Sequence, residues 1–519
     1  MILENGTIRT LDPALPVARA LAIAGDEIAG GVGVHERALA SPDRVDLGGR
    51  CVVPGFSDAH VHFPTWAVAR SEVRLEDTRS LDEALVLVRE ALGGVRPGGW
   101  LRGRGWRGAD WGAEPTRADL DAVTGDVPAA LLARDSHSLW LNSAALVRAN
   151  GDLETAGGVV ERDAAGEPTG VLREEAAWRF RDLHVEVTDD EYIAAMRAAL
   201  RVAAARGVTA VHDKDGWLGA NRLFQRLHAE HALTLRVWQS LPANKLAEIE
   251  TLGLHARLGD DWFRLGYLKT FMDGTLGSQT ARLLDGTGVE ITSRDELAET
   301  VRRGARAGWP VAVHAIGDRA NRDALDAFEE TRDDWAPRGL RPRIEHAQLL
   351  APADIARFAA LGVAASVQFS HATADRDVAE RFWAGRLDGA YAFRSLIDSG
   401  AVVANGSDAP IEELDPLAGI RAGVLRTLDD RPAWRPEQAV TVEQALVATC
   451  VTPAWLAGDE RRRGKLLPGY LADLVVLDRD PLEDVAGAEV VATMAGGRWV
   501  CNPPPWDSPR QGTVPTRTG

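Results

Sequence analysis

Apolar residues in the middle of the chain gather into short runs of strand length. The runs are Phe56–His60, Thr209–His212, Leu235–Leu241, Gly266–Phe271, Pro310–Ala315, Arg343–Ala347, Ala364–Phe369 and Ala401–Gly406. Amphipathic stretches with helical periodicity, such as Asp190–Ala205 and Ala320–Thr331, lie between them. Strand and helix in alternation predict a parallel sheet covered by helices. Eight strands is the number that closes a barrel, so the expected fold is α/β, a (β/α)8 TIM barrel over residues 56–463. The spacing agrees with this. Lys269 to His314 is one βα unit, His314 to His346 another, and His346 to Asp408 about two. His62 to His212 is far too long for one unit, which predicts an insertion over residues 66–190. It has its own strand, Ala129–Ala133, and Gly-rich turns at 103–112 and 157–170, and is expected to be a lid or side domain.

Both ends of the chain carry a different pattern. Ile2–Leu3 precedes an Asn5-Gly6 turn, Leu21–Ala24 precedes Gly25-Asp26, and Cys51–Val53 precedes Pro54-Gly55. Near the other end, Leu471–Asp478 and Val490–Met494 are apolar runs, followed by Gly496-Gly497 and Trp499–Cys501. These segments predict a small β-sandwich domain built from both termini, residues 1–55 with 464–502. The tail, 503–519, is rich in Pro, Ser and Thr and is expected to be mobile.

Composition narrows the function. The formal net charge is −17 over 519 residues, which opposes binding to phosphate backbones and anionic lipids; neither a nucleic-acid nor a membrane partner is expected. The three cysteines, Cys51, Cys450 and Cys501, form no metal-knuckle or disulfide pattern. The first residues show neither a basic region nor a long apolar one, and no apolar run approaches membrane-spanning length. A cytoplasmic enzyme acting on a small molecule is the expectation, and a homo-oligomer is compatible with it. The 16 tryptophans are ascribed mainly to core packing.

The chemistry begins at Pro54-Gly55-Phe56-Ser57-Asp58-Ala59-His60-Val61-His62. Residues two apart on a strand point the same way, so His60 and His62 make a chelating pair suited to zinc, with bonds of about 2.0–2.1 Å. His314 closes Val311-Ala312-Val313, His346 follows Arg343-Ile344-Glu345, and Asp408 follows Ala401–Gly406. Each stands where a strand meets its loop, the end of a barrel at which ligand sites form. Lys269 lies within the apolar run that ends at Asp273-Gly274. Burial lowers the pKa of such a lysine, and the neutral amine can add CO2 to become a carbamate that bridges two metals. The alternative is a lysine that pairs with a carboxylate such as Asp273 or touches substrate. His137, Asp273, Arg282, Arg319 and His371 are further candidates for substrate contact. The segment His212-Asp213-Lys214-Asp215 reads as a solvated charge cluster, and Glu345 as a structural residue on the opposite strand face.

The order HxH, Lys, His, His, Asp resembles the amidohydrolase superfamily. Within it, the chain resembles the YtcJ-like (amidohydrolase 3) branch, through Arg134-Asp135-Ser136-His137-Ser138, Gly170-Val171-Leu172-Arg173-Glu174, Asp273-Gly274-Thr275-Leu276-Gly277-Ser278, His314-Ala315-Ile316-Gly317-Asp318 and Gly406-Ser407-Asp408-Ala409-Pro410. Arg107 departs from that branch, which has an acidic or amide residue there. The resemblance implies a divalent metal, zinc by preference, at one or two per chain. Its implied site is His60, His62, His314, His346 and Asp408, with Lys269 carboxylated as the bridge. Asp408 would serve as catalytic base and acid. The expected reaction is hydrolysis of a non-peptide C–N bond in an N-acyl or N-substituted amide. Lactone, carbamate or ester cleavage is the alternative at the same site. A barrel without catalysis, acting as a regulatory or binding protein, is the alternative of another class. Iron, manganese, cobalt or nickel would also suit the donors.

Overall fold

A computed structural model of the chain describes residues 1–31, 41–112, 114–134 and 137–506. The expected tail from Pro503 lies, beyond Trp506, outside the described residues. The chain forms two compact units, residues 1–66 with 197–519, and residues 67–196.

The first unit contains the barrel. Its strands are β1 (Phe56–Val61), β2 (Val208–Asp213), β3 (Arg236–Pro242), β4 (Phe263–Phe271), β5 (Val311–Ala315), β6 (Arg343–His346), β7 (Ala364–Val367) and β8 (Val403–Asn405). Each pairs in parallel with the next in chain order, as a TIM barrel requires. Most residues of these strands are buried, which is why their sequences read as continuous apolar runs rather than alternating ones. The ring is closed just past β8, where Asp408 N–H donates to the His60 carbonyl at 2.7 Å and His62 N–H donates to the Ala409 carbonyl at 2.9 Å. Gly406 makes this closure sterically feasible. A Cβ at that position would come within 2.4 Å of His60 N and 2.8 Å of His60 Cβ.

Strands from both chain ends form a separate mixed sheet in the same unit. Its order is Arg498–Cys501, Val490–Ala495, Leu474–Leu477, Cys51–Pro54, Ile2–Arg9, Val17–Ala24 and Glu27–Gly30, with Arg44–Asp46 also pairing to Ile2–Arg9. Leu3, Ile8, Leu21, Val52, Leu474, Val476 and Met494 make its core. The β1 strand begins two residues after this sheet's strand Cys51–Pro54, so the sheet anchors the entry to the barrel.

The second unit carries a six-stranded sheet flanked by helices. Its core includes Leu75, Val88, Leu131, Trp106 and Trp140, with the two indoles 6.1 Å apart edge to face. Among the described residues, no helix is long and apolar enough to cross a membrane.

Candidate metal centre

Six side chains converge where the barrel strands end. His60 and His62 both turn toward Asp408, whose Oδ1 lies 3.3 Å from His60 Nε2 and 3.6 Å from His62 Nε2. The His346 ring lies 4.8 Å from that of His60 and 4.5 Å from that of His314. Lys269 lies on β4, fully buried, and its amine has no hydrogen-bond partner among the described residues. The amine stands 4.7 Å from the Phe271 ring centre, and that ring is 5.2 Å from the His314 ring. The set expected from the sequence is therefore brought together, four imidazoles, one carboxylate and one amine.

The ring nitrogens show what this cluster can do. A histidine that ligates a metal donates its other N–H to an oxygen, which fixes the tautomer and aims the free lone pair. His60 Nδ1 lies 2.8 Å from Glu345 Oε2, and His62 Nδ1 lies 2.7 Å from Asp215 Oδ1. His346 Nδ1 lies 2.8 Å from Gln368 Oε1, and His314 Nε2 lies 3.0 Å from the Gly274 carbonyl. All four rings thus commit one nitrogen to an oxygen acceptor and leave the other for a cation. Such donors, with an unpartnered buried amine beside them, fit one or two divalent metals.

The electrostatics point the same way. Burial pushes His314 down to about 3, with nearby Lys269 adding to the effect, and holds His60 and His346 below the ordinary histidine value; a neutral imidazole is the form that binds metal. His62 differs. Burial lowers it too, but its bond to Asp215 outweighs this and raises it. Burial alone would raise Asp408, yet the surrounding imidazoles, His60 foremost, hold it well below the usual carboxylate range. Burial lowers the Lys269 amine to about 8.

The remaining candidates fall in different surroundings. His371 is buried; its Nδ1 lies 2.9 Å from Gln348 Nε2, and its Nε2 lies 3.9 Å from Asp408 Oδ2 without a hydrogen-bond partner among the described residues. His346, His371 and Asp408 could be grouped as a second set of donors. The bond of His346 Nδ1 to Gln368 argues against a metal at that nitrogen. Asp273 organises a loop, accepting from the backbone N–H groups of Arg282, Ile316 and Gly317 at 2.8–3.0 Å. Arg282 and Arg319 both turn to Asp323, at 2.8 and 2.9 Å, and Arg282 also pairs with Glu290. His137 belongs to the second unit and lies 2.8 Å from Glu174.

Two expectations are overturned. His212, Asp213, Lys214 and Asp215 are not solvated; all four are buried, because their charges are matched by partners inside the barrel. Glu345 does not point away from the site. His346 has a φ of 74°, which breaks strand alternation at this position, so the two neighbours both reach His60. Neither residue betrays this in the sequence, although charged residues at the end of an apolar strand are a signal of its kind.

A model of the amidohydrolase family matches residues 43–501, and the chain belongs to that family. It is 32% identical to Protein LONG AFTER FAR-RED 3 of Arabidopsis thaliana, covering 96% of this chain and 91% of the relative. It is 30% identical to the putative amidohydrolase YtcJ of Bacillus subtilis (88% and 90% covered), and 28% identical to the N-substituted formamide deformylase of Arthrobacter pascens (94% and 95%). Among solved structures, an uncharacterized metal-dependent hydrolase from Pyrococcus furiosus superposes with a TM-score of 0.79 at 30% identity, covering 93% of this chain and 99% of that one.

Proposed function

We propose that the chain is a metal-dependent hydrolase that cleaves a non-peptide C–N bond in an N-acyl or N-substituted amide. The observation that carries this reading is the set of four imidazoles, each tied through one nitrogen to an oxygen, around Asp408 and the unpartnered amine of Lys269. His60, His62 and Asp408 would hold one metal, and His314 and His346 another. Zinc suits the donors best. A divalent metal here supplies Lewis acidity, which makes water a usable nucleophile near neutral pH and polarises a carbonyl.

The chain's own residues do the rest. The neutral amine of Lys269 would add CO2 and release a proton, giving an anionic group with two oxygens able to serve as a further metal donor. Asp408, held ionised by its imidazole neighbours, takes a proton from the attacking water and returns it to the leaving nitrogen. His371 faces the same space from the end of β7 and contacts substrate through Nε2. The formamide deformylase among the relatives supports C–N cleavage over lactone or ester cleavage. Each ligand position is filled, which favours an enzyme over a barrel that has lost its chemistry.

Metal analysis of protein purified without chelator tests the reading, together with native mass and a panel of formamides, N-acyl amines and lactones. Bound metal, the added mass of one CO2 and turnover of the amides are expected. Protein that takes up no metal even with zinc and bicarbonate supplied would sink the hydrolase, and turnover of lactones alone would reject the C–N assignment.

A further inference from the structure

The segment Asp213-Lys214-Asp215, at the end of β2, reaches both histidines of the His60-Val61-His62 pair. Asp215 does so directly, through its bond to His62 Nδ1, and its Oδ2 accepts from Thr65 N–H at 2.9 Å. Lys214 does so at one remove. Its Nζ lies 3.1 Å from Glu345 Oε1, while Glu345 Oε2 lies 2.8 Å from His60 Nδ1. Arg343 Nε approaches the same Oε1 at 2.8 Å. Lys214, Arg343 and Glu345 all have no exposed surface.

Stability alone does not explain this arrangement. Arg343 already pairs with Glu345, so Lys214 is a second basic group on one carboxylate in a closed interior, where burial, with Arg343 adding to it, lowers its amine to about 7. Its remaining neighbours give little back. The Tyr267 ring centre stands 5.9 Å from Nζ, whereas the Arg343 guanidinium lies 4.3 Å from that ring. What Lys214 does achieve is geometric. Lys214 and Arg343 both approach Oε1 as charge partners without an aligned hydrogen bond, and the other oxygen, Oε2, is the one that meets the His60 N–H.

We propose that Lys214 is a positioning residue for the metal held by His60 and His62, acting through Glu345 to keep His60 Nε2 aimed at that metal. This rests on the metal-centre reading above. Groups that orient a ligating histidine typically change metal affinity by about 10–100-fold when removed.

The test compares zinc affinity, by chelator competition, with thermal melting of the metal-free protein for wild type, Lys214→Met and Glu345→Gln. Lys214→Met is expected to bind the metal at His60 and His62 about tenfold more weakly. Its metal-free form should melt no lower than wild type, since a second buried basic group has been removed. Glu345→Gln should lose affinity at the same metal to a larger extent, which keeps the test open if Lys214→Met does not fold. Unchanged zinc affinity in the folded variants would overturn the proposal while leaving the metal centre standing. So would a lowered metal-free melting temperature with every bound metal weakened alike, because that is the signature of a merely structural pair. Wild-type protein that binds no zinc would reject the metal-centre reading and this inference together.

Discussion

Replacing Lys269 with Met should make the metal-free protein more stable. Lys269 is buried on β4, its amine lacks a hydrogen-bond partner, and burial lowers it from the ordinary 10.5 to about 8. The unfolded chain binds the proton more tightly than the folded one, so stability rises with pH between these two values. The penalty is present in full below about pH 8 and is gone above pH 10.5. At about 1.4 kcal/mol per unit, the shift corresponds to roughly 3 kcal/mol. Methionine has similar length and volume and no charge, so packing around Phe271 is kept. The assay is urea unfolding of chelator-treated protein in CO2-free buffer, with wild type and Lys269→Met compared at pH 7 and above pH 10.5. The variant should be more stable by roughly 3 kcal/mol at pH 7, and the gap should close at the higher pH. A variant no more stable than wild type at pH 7 would refute the reasoning, as would a gap that persists at high pH. The same penalty explains the reactivity proposed for this residue, since an amine that sheds its proton easily is the form that adds CO2.

Asp408→Asn should retain bound metal through the histidines but lower turnover about 10²–10⁴-fold, read as kcat beside metal content. Gly406→Ala should destabilise the barrel by about 1–3 kcal/mol, because the new methyl meets His60 N at 2.4 Å across the β1–β8 seam; thermal melting measures it. Acidification should release metal in two stages. His62, raised by Asp215, protonates first, whereas His314 and His346 are held low by burial, so the metal at His60 and His62 should leave before its neighbour. A pH titration of zinc release against a colorimetric chelator would show one step only if this ordering is wrong.

The candidate ligands could be picked out in the sequence because each stands at or just past the end of a buried strand, where a polar residue faces the barrel mouth. The residues that aim them could not. Strict alternation puts Glu345 on the far face, and it fails because His346 adopts a φ of 74°. That backbone turn is set by tertiary packing and leaves no mark on residue type. Lys214 and Asp215 read as solvated because charge runs usually are. Their burial follows from partners remote in the chain, Glu345 for Lys214 and His62 for Asp215. Arg282 and Arg319 show the same effect of charge partners. They stand beside motif residues, yet Asp323, itself buried, draws both into ion pairs. Chain position thus reports that a strand delivers a polar group to the mouth. Which way that group then turns is decided by charge matching across the barrel, and only the folded chain brings the matching charges together.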